Sequence, residues 1–413
     1  MGEPTTPLEL LRHHFGHQHF RPGQQEAIER LLAGRSVLTI FPTGGGKSLC
    51  FQLPSLVLDG LTLVISPLIA LMKDQVDALA AAGIAAARLD STLAKAAVFD
   101  VFDRLADGRL KLLYIAPERL GNERFLARLG RRKIALLAID EAHCISEWGH
   151  NFRPDYLKLE ALARELRVER VLALTATATP AVAADIRRAF EIAPEDEVKT
   201  DFHRPNLQLR TLRTTADARD ARLLERLRAT PAGPTIVYVT LQRTAETVAA
   251  QLGAAGFAAR AYHAGMEDET RHAVQDAFMA GTCQVVVATI AFGMGIDKAD
   301  IRRVFHYNLP KTLENYVQEI GRAGRDGAPS ICELLAVASD QIVLANFSYG
   351  DTPSPRAIRA LVEELLALGS RFDVSTTELA QAHDIRPLVV STALAYLELD
   401  GILRVAGPFY SGC

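Results

Sequence analysis

Short runs of consecutive apolar residues alternate with longer segments of helical spacing along most of the chain. Such runs are typical of strands buried on both faces of a parallel sheet, and the segments between them form the crossover helices. In the first half, the predicted helices include Leu68–Ala82 and Ser91–Leu105. The predicted strands there are Ser36–Ile40, Leu61–Ser66, Leu110–Ile115, Ile134–Ile139 and Arg170–Thr175.

The same alternation restarts after Thr200–Asn206, a segment that contains Pro205 and has the character of a hinge. The predicted helices of this second half are Arg243–Gly253 and Glu267–Met279. Its predicted strands are Thr235–Val239, Ala258–Tyr262, Gln284–Ala288, Arg302–Tyr307 and Ile331–Val337. The pattern therefore predicts an α/β protein with two tandem parallel-sheet domains, residues 1–204 and 205–345.

The remaining residues, 346–413, differ in composition and form a third predicted unit. Helices are predicted over Thr376–Gln381 and Pro387–Leu399, and a strand-like run, Ile402–Val405, follows them. Helix, turn, helix and strand is the order of a winged-helix module. A plain packed helical tail explains the segment equally well. A wing would need its return strand where the sequence ends shortly after Tyr410, which is the pattern expected of a truncated module.

Composition and charge limit the classes of protein to which the chain can belong, but they do not identify its function. A net charge of −3 gives the chain no overall basic character, although its 46 Lys and Arg side chains can form local patches. No apolar stretch has the length of a membrane span or the pattern of a signal peptide. We expect a cytoplasmic monomer with no membrane partner, nucleoid-associated if the source is bacterial.

The sequence Phe41-Pro-Thr-Gly-Gly-Gly-Lys-Ser48, placed directly after a predicted strand, has the chemistry of a phosphate-binding loop. Backbone N–H groups of Thr43, Gly44, Gly45 and Gly46 can wrap the phosphates at the start of a helix. Lys47 can reach the β- and γ-phosphates, and the Ser48 hydroxyl can bind Mg²⁺. The strict consensus places glycine where this chain has Phe41, so the loop is of the Pro-Thr-Gly type.

Two adjacent carboxylates, Asp140 and Glu141, end the buried-type strand Ile134–Ile139. Asp140 can bind magnesium, and Glu141 can orient and deprotonate the attacking water. In the second half, Gln318–Gly327 carries Arg322 and Arg325 with the spacing of one helical turn, which predicts that both lie on one face. Such a pair suits an arginine finger that stabilises charge in the transition state.

With these motifs in place, the chain resembles the RecQ-type DNA helicases of helicase superfamily 2 over about residues 8–340. The resemblance implies two RecA-like domains, and a catalytic role for Gln318 beside the arginines. It rests on several further stretches: Phe20–Glu26, Val64–Gln75, Tyr114–Leu120, Ala173–Ala178 and Val287–Lys298. Nucleotide contacts are implied for His17, Arg21, Gln24, Gly295 and Asp297, with Gln25 as the alternative to Gln24 for reading adenine.

The most discriminating stretch is Ala142–Tyr156, which resembles the aromatic-rich loop of RecQ helicases and contains the only tryptophan of the chain. Exposed aromatic rings next to arginine suit base stacking on a single strand. The resemblance implies contacts with single-stranded or tailed duplex DNA by Ser146, Trp148, Phe152, Arg153, Thr175, Thr177 and Thr289.

The chain departs from the family pattern in its cysteines. The five are scattered with no CxxC pair, and only Cys332 and Cys413 lie where relatives commonly carry a four-cysteine zinc module. The expected cofactors are therefore ATP and Mg²⁺, with no zinc.

We expect an ATP-dependent single-strand DNA translocase and helicase of recombination and repair, and the resemblance implies that it moves in the 3′→5′ direction. An RNA helicase is the closest alternative, and the Trp148 loop argues against it. A DNA-binding module that uses ATP only as a switch is disfavoured by Glu141, Arg322 and Arg325. A winged-helix transcription regulator would need neither Lys47 nor Asp140.

Overall fold

The computed structural model describes residues 6–146, 153–201, 203–292, 298–349 and 352–404. They divide between two compact units, one drawn from residues 1–41, 45–200 and 349–413, the other from 42–44 and 201–348. Within the described residues, no helix is both long enough and apolar enough to cross a membrane.

The first unit contains a seven-stranded parallel sheet in the order β3-β4-β2-β5-β6-β1-β7. Its strands are β1 Val37–Ile40, β2 Leu61–Ile65, β3 Ala86–Leu89, β4 Leu112–Ile115, β5 Ile134–Ile139, β6 Val171–Thr175 and β7 Glu197–Lys199. Its helices before residue 200 are α1 Pro7–Phe15, α2 Gln24–Leu32, α3 Leu49–Val57, α4 Ile69–Ala81, α5 Lys95–Ala106, α6 Glu123–Leu129, α7 Pro154–Leu157, α8 Leu159–Glu165 and α9 Pro180–Ala189. Short 3₁₀ helices span Pro117–Gly121, Ala142–Ile145 and Pro194–Asp196.

The second unit contains a six-stranded parallel sheet in the order β10-β11-β9-β12-β13-β8. Its strands are β8 Leu207–Arg213, β9 Thr235–Tyr238, β10 Ala259–Tyr262, β11 Val285–Ala288, β12 Arg303–His306 and β13 Ser330–Ala336. Its helices are α10 Arg219–Ala229, α11 Gln242–Ala254, α12 Asp268–Met279, α13 Leu313–Ile320 and α14 Asp340–Tyr349.

Three C-terminal helices follow, α15 Pro355–Ala367, α16 Thr376–Ala382 and α17 Pro387–Leu399. They share a small core of their own, and α17 packs beside α7 of the first unit. Residues 402–404 of the predicted terminal strand are not in a strand, and Val405 lies outside the described residues. Helices after the second α/β unit are therefore confirmed, whereas a winged helix stays a prediction, as do the domain boundaries.

Both sheets form because their strands are continuous apolar runs. All six residues of β5 and all four of β11 are buried, as expected for parallel strands covered on both faces. The α/β architecture with two parallel sheets is confirmed, and each strand predicted before residue 340 is present within one or two residues. Three strands, β3, β7 and β8, were not predicted.

Candidate functional site

The phosphate loop joins β1 to α3 at the carboxyl edge of the first sheet, and the buried side chain of Gln24 holds it. The Gln24 amide donates to the carbonyl of Gly46 at 2.8 Å, and its Oε1 accepts from the N–H of Arg21 at 2.8 Å. Gly46 has φ of +75°, and a Cβ there would lie 2.4 Å from Gln24 Nε2. This position therefore requires glycine.

The residues predicted to contact adenine differ from one another in their surroundings. Both polar ends of the Gln24 side chain are engaged with the backbone, so in this structure Gln24 shapes the phosphate loop. Gln25 is exposed and donates to Glu29 at 2.8 Å, and the side chains of His17 and Arg21 are exposed. Recognition of adenine by these residues stays a prediction.

The positively charged residue of the loop, Lys47, and its hydroxyl residue, Ser48, lie between Gly46 and α3. Gln75 Nε2 donates to Ser48 Oγ at 3.0 Å, a contact that fixes the hydroxyl and that the sequence motifs did not assign. Lys47 is half-buried, and its positive charge lowers the pKa of Asp140, an effect that burial outweighs. Thr43, Gly44 and Gly45 occupy the turns that precede Gly46 and Lys47.

The two predicted carboxylates follow β5 at the same edge of the sheet. Ser66 Oγ donates to Asp140 Oδ2 at 3.2 Å, and the N–H of Glu141 donates to Asp140 Oδ1 at 3.0 Å. Burial, with a further contribution from Glu141, raises the pKa of Asp140 to about 6. Glu141 has φ of +51°, a left-handed conformation that is strained for a residue with a Cβ and is often found at functional sites.

A buried polar chain links Glu141 to the end of β6. His143 Nδ1 lies 3.4 Å from Glu141 Oε2 and 3.0 Å from Thr175 Oγ1. Thr175 Oγ1 also donates to the carbonyl of Thr177 at 2.8 Å. Thr175 and Thr177, predicted to contact DNA, are both buried, and the Thr175 hydroxyl is engaged with the backbone of Thr177. His143 was not assigned a role from the sequence, although it directly follows the two carboxylates and Ala142.

The oxygen donors of this edge fit a magnesium ion. The Ser48 hydroxyl and the Asp140 carboxylate are hard oxygen ligands. Burial and the charge of Glu141 raise the pKa of Asp140 more than the charge of Lys47 lowers it, and a divalent cation beside the carboxylate would favour its ionised form. The described residues contain no cluster of three or more His, Cys, Asp or Glu side chains arranged to hold a metal. The expectation that the protein needs no zinc stays a prediction.

The predicted DNA-contacting loop is described only at its two ends. Ser146 Oγ donates to Asp185 at 2.7 Å, and the N–H of Arg153 donates to the carbonyl of Cys144 at 3.1 Å. The Arg153 side chain is exposed. Trp148 and Phe152 lie outside the described residues, and so do Gly295 and Asp297 of the second unit.

The arginines of the second unit do not lie on a helix face, which corrects the sequence prediction. Helix α13 ends at Ile320, and Arg322 and Arg325 follow it in a series of turns. Gly324, between them, has φ of +54°, a conformation that interrupts a helix. Gln318 lies in the last turn of α13 and is half-buried.

Two residues just before β8 hold this arginine turn, and the sequence motifs did not identify them. Arg204 donates to the carbonyl of Gly321 at 3.0 Å and to that of Gly324, and Asn206 donates to Gly324 at 2.9 Å. A Cβ at Gly324 would lie 2.5 Å from Asn206 Nδ2. Glycine at position 324 thus allows the close approach of Asn206.

Arg322 is buried within the second unit, beside the hydroxyl of Tyr238. Burial raises the pKa of Tyr238 to about 12, and the adjacent Arg322 opposes that rise. Arg325 is half-buried. Thr289, the predicted DNA contact of this unit, follows β11 and is 9% exposed.

Two family models match the chain, one in each of its two α/β halves. Residues 21–186 match the DEAD/DEAH box helicase model, and residues 218–327 match the helicase conserved C-terminal domain. Among solved structures, helicase Lhr of Mycobacterium smegmatis, bound to ssDNA and AMP-PNP, has a TM-score of 0.65 at 20% identity, covering 94% of this chain and 56% of that one. The DUF1998 helicase MrfA bound to DNA has a TM-score of 0.68 at 18% identity, covering 98% and 59%. At these identities the likeness supports the fold alone.

Proteins found by sequence comparison have higher identity to this chain than these solved structures do. The ATP-dependent DNA helicase RecQ of Bacillus subtilis is 46% identical over 81% of this chain and 56% of its own length. RecQ of Pasteurella multocida is 42% identical over 93% and 59%. The chain thus spans a little over half the length of these two relatives. A B. subtilis protein named as a probable ATP-dependent DNA helicase, RecS, is 43% identical over 81% of this chain and 68% of its own length. The chain belongs to the RecQ-type family of superfamily 2 helicases.

Proposed function

We propose that this chain is an ATP-driven DNA helicase that moves 3′ to 5′ along a single strand. The observation that carries the proposal is the meeting of the phosphate loop and the Asp140–Glu141 pair at one sheet edge. The charge of Lys47 acts on Asp140 there. We infer a DNA substrate because the relatives of this chain are named DNA helicases.

In this proposal, each polar group of the first unit has one task in ATP hydrolysis. Lys47 holds the β- and γ-phosphates, and Ser48 and Asp140 are the ligands of Mg²⁺, which neutralises phosphate charge when it is bound. Glu141 orients the attacking water and accepts its proton. Arg322 and Arg325, with Gln318, stabilise the charge of the transferring phosphoryl group in the way of an arginine finger.

The chain of buried polar contacts from Glu141 through His143 to Thr175 supports a coupling between hydrolysis and movement on DNA. A shift at the end of β6, which borders the proposed DNA surface, would change the position of His143. That change would move the partner of the catalytic carboxylate. The aromatic loop, with Trp148 and Phe152, would stack against bases of the bound strand. The protein would act as a cytoplasmic monomer.

A strand-displacement assay tests the proposal. Duplexes with a 3′ or a 5′ single-stranded tail are incubated with the chain, ATP and Mg²⁺. We expect separation of the 3′-tailed duplex and little separation of the 5′-tailed one. Lys47→Ala, which removes the phosphate-binding charge, serves as the inactive control. Preferred separation of the 5′-tailed duplex would reject the polarity. ATP hydrolysis without separation of either duplex would reduce the proposal to an ATPase.

A further inference from the structure

The segment that leads from β2 into α4 contacts both residues proposed to bind magnesium. Near its start, the buried Ser66 donates from its hydroxyl to Asp140 Oδ2 at 3.2 Å. Further along, on α4, Gln75 Nε2 donates to Ser48 Oγ at 3.0 Å. One continuous stretch of chain therefore reaches both proposed ligands, and the role of Gln75 is not explained by the functions assigned above.

Gln75 is a polar residue in an apolar row of α4. Met72 and Leu79, one helical turn to either side of it, are buried in the core of the first unit, and Val76 packs against the same core. Residues three or four positions apart share a helix face, so Gln75 lies in line with Met72 and Leu79. It is half-buried there. A polar side chain in such a row needs polar partners, and the phosphate loop provides one.

The contact with Gln75 orients the Ser48 hydroxyl without using up its capacity to bind a metal. Ser48 directly precedes α3, but its side chain makes no capping hydrogen bond to that helix. A serine oxygen has two lone pairs, and the bond from Gln75 Nε2 occupies one of them. The second lone pair stays available as a ligand.

The other end of the Gln75 amide is an acceptor that lacks a donor. Gln75 Oε1 is buried and has no hydrogen-bond partner among the described residues. An unpaired buried acceptor is costly. Mg²⁺ keeps several of its waters when it binds together with nucleotide phosphates. A water on an ion held by Ser48 would be a donor of the kind that Oε1 lacks.

We propose that Gln75 is a positioning residue for the nucleotide-bound magnesium ion. Its amide nitrogen orients the Ser48 hydroxyl, and its amide oxygen accepts from a water on the ion. The inference rests on the proposed function, because it deepens the magnesium site assigned there. Residues that orient metal ligands typically contribute about 10- to 100-fold to metal affinity. Gln75 should therefore set how much Mg²⁺ the nucleotide complex needs, and it should contribute little to the binding of nucleotide alone.

The test measures the affinity of a non-hydrolysable fluorescent ATP analogue by anisotropy, first in EDTA and then at increasing Mg²⁺ concentration. Gln75→Leu keeps much of the side-chain volume and removes both polar ends. It should match the unmodified chain in EDTA and need roughly tenfold more Mg²⁺ for the half-maximal gain in affinity. Electron paramagnetic resonance with Mn²⁺ in place of Mg²⁺ measures the free ion, and it should show the same loss of metal affinity.

Gln75→Glu tests the amide oxygen separately. A carboxylate keeps the acceptor for a bound water and adds a negative charge near the cation, although it cannot donate to Ser48. This variant should need no more Mg²⁺ than the unmodified chain. A tenfold higher requirement would overturn the role of the amide oxygen. Thermal melts check that each variant is folded, and Gln75→Glu remains informative if Gln75→Leu is unstable.

Gln52→Leu is the matched control for a lost amide. Gln52 lies on α3 and is half-buried, and its side chain donates to the hydroxyl of the buried Tyr114 at 3.2 Å. The substitution removes a bond of the same kind within the same unit, but not the one to Ser48. Its Mg²⁺ requirement should be unchanged. If it rises as much as in Gln75→Leu, the effect is one of packing near the phosphate loop, and the proposal is overturned.

The magnesium site and the role of Gln75 can fail separately. If Mg²⁺ does not raise the nucleotide affinity of the unmodified chain, the magnesium site of the proposed function fails, and this inference fails with it. If Mg²⁺ does raise it and Gln75→Leu has the same requirement, only the role of Gln75 is overturned. A loss of affinity in EDTA as large as the loss in Mg²⁺ would make Gln75 a support of the phosphate loop, which also overturns the proposal.

Discussion

The hydroxyl of Tyr156 donates a hydrogen bond to the backbone carbonyl of Asp140 at 2.9 Å. Tyr156 is completely buried and lies on α7, the short helix that begins shortly after the aromatic loop. One side chain therefore connects the loop proposed to contact DNA with the residue proposed to bind magnesium. The connection is within the first unit and needs no relay through the sheet.

Replacing Tyr156 by Phe tests this connection because it removes only the hydroxyl. We expect a loss of about 0.5–1.5 kcal/mol in stability, and a several-fold fall in DNA-stimulated kcat with little change in the KM for ATP. Tyr307→Phe is the matched control, since its hydroxyl donates to Asp220 at 2.7 Å in the second unit. If both variants lose stability alike and neither loses stimulation, Tyr156 has only a structural role.

Glu141→Gln should retain ATP binding and lose turnover. The amide has nearly the same shape as the carboxylate, but it cannot accept a proton from water. Nucleotide affinity and single-turnover hydrolysis are measured on the same preparation. A loss of affinity as large as the loss of rate would make Glu141 a binding residue.

Arg325→Ala and Arg322→Ala should both lower kcat more than ATP affinity, by up to about 10³-fold. The structure adds a distinction between them. Arg322 is buried beside Tyr238, so its removal should also destabilise the second unit, whereas the half-buried Arg325 should cost little stability. Steady-state kinetics with a thermal melt separates the two effects. Equal losses of kcat and affinity would indicate that the arginines bind the ground state.

The C-terminal helices should depend on an ion pair between α17 and the end of α7. Lys158, at the end of α7, pairs with Glu398 of α17, and both side chains are partly exposed. Reversing either charge alone should raise hydrogen exchange in α17 by about 1.4- to 5-fold, and the double reversal should restore protection. Additive effects of the two reversals would show that the pair does not hold α17 in place.

Elements with a continuous apolar pattern could be predicted from the sequence. All six residues of β5 are apolar and buried, and Asp140 directly ends the run, so the same pattern predicted the strand and the candidate site residue. Strand β8 was missed because polar residues alternate with apolar ones at the edge of its sheet, where much of the strand is exposed. Strand β7 has only three residues, two of them charged.

Contacts between distant positions could not be predicted from local patterns. Gln24 and Gly46 are 22 positions apart, and Arg204 and Gly324 are 120 apart. Each contact holds a loop of the candidate site through a backbone carbonyl. Because every residue has a backbone carbonyl, the residue type at the accepting position does not reveal the contact. The end of α13 at Ile320 was missed for a related reason. The spacing of two arginines fits a helix, whereas Gly321 and Gly324 permit a turn.

A phosphate-release assay shows whether DNA drives ATP turnover in this chain. Hydrolysis is measured with no nucleic acid, with single-stranded DNA and with an RNA of the same sequence, using Lys47→Ala as the blank. We expect strong stimulation by DNA, weak stimulation by RNA, and a loss of at least about 10²-fold in Lys47→Ala, on the order of 3 kcal/mol in the barrier. Equal or greater stimulation by RNA, or turnover that DNA leaves unchanged, would contradict this expectation.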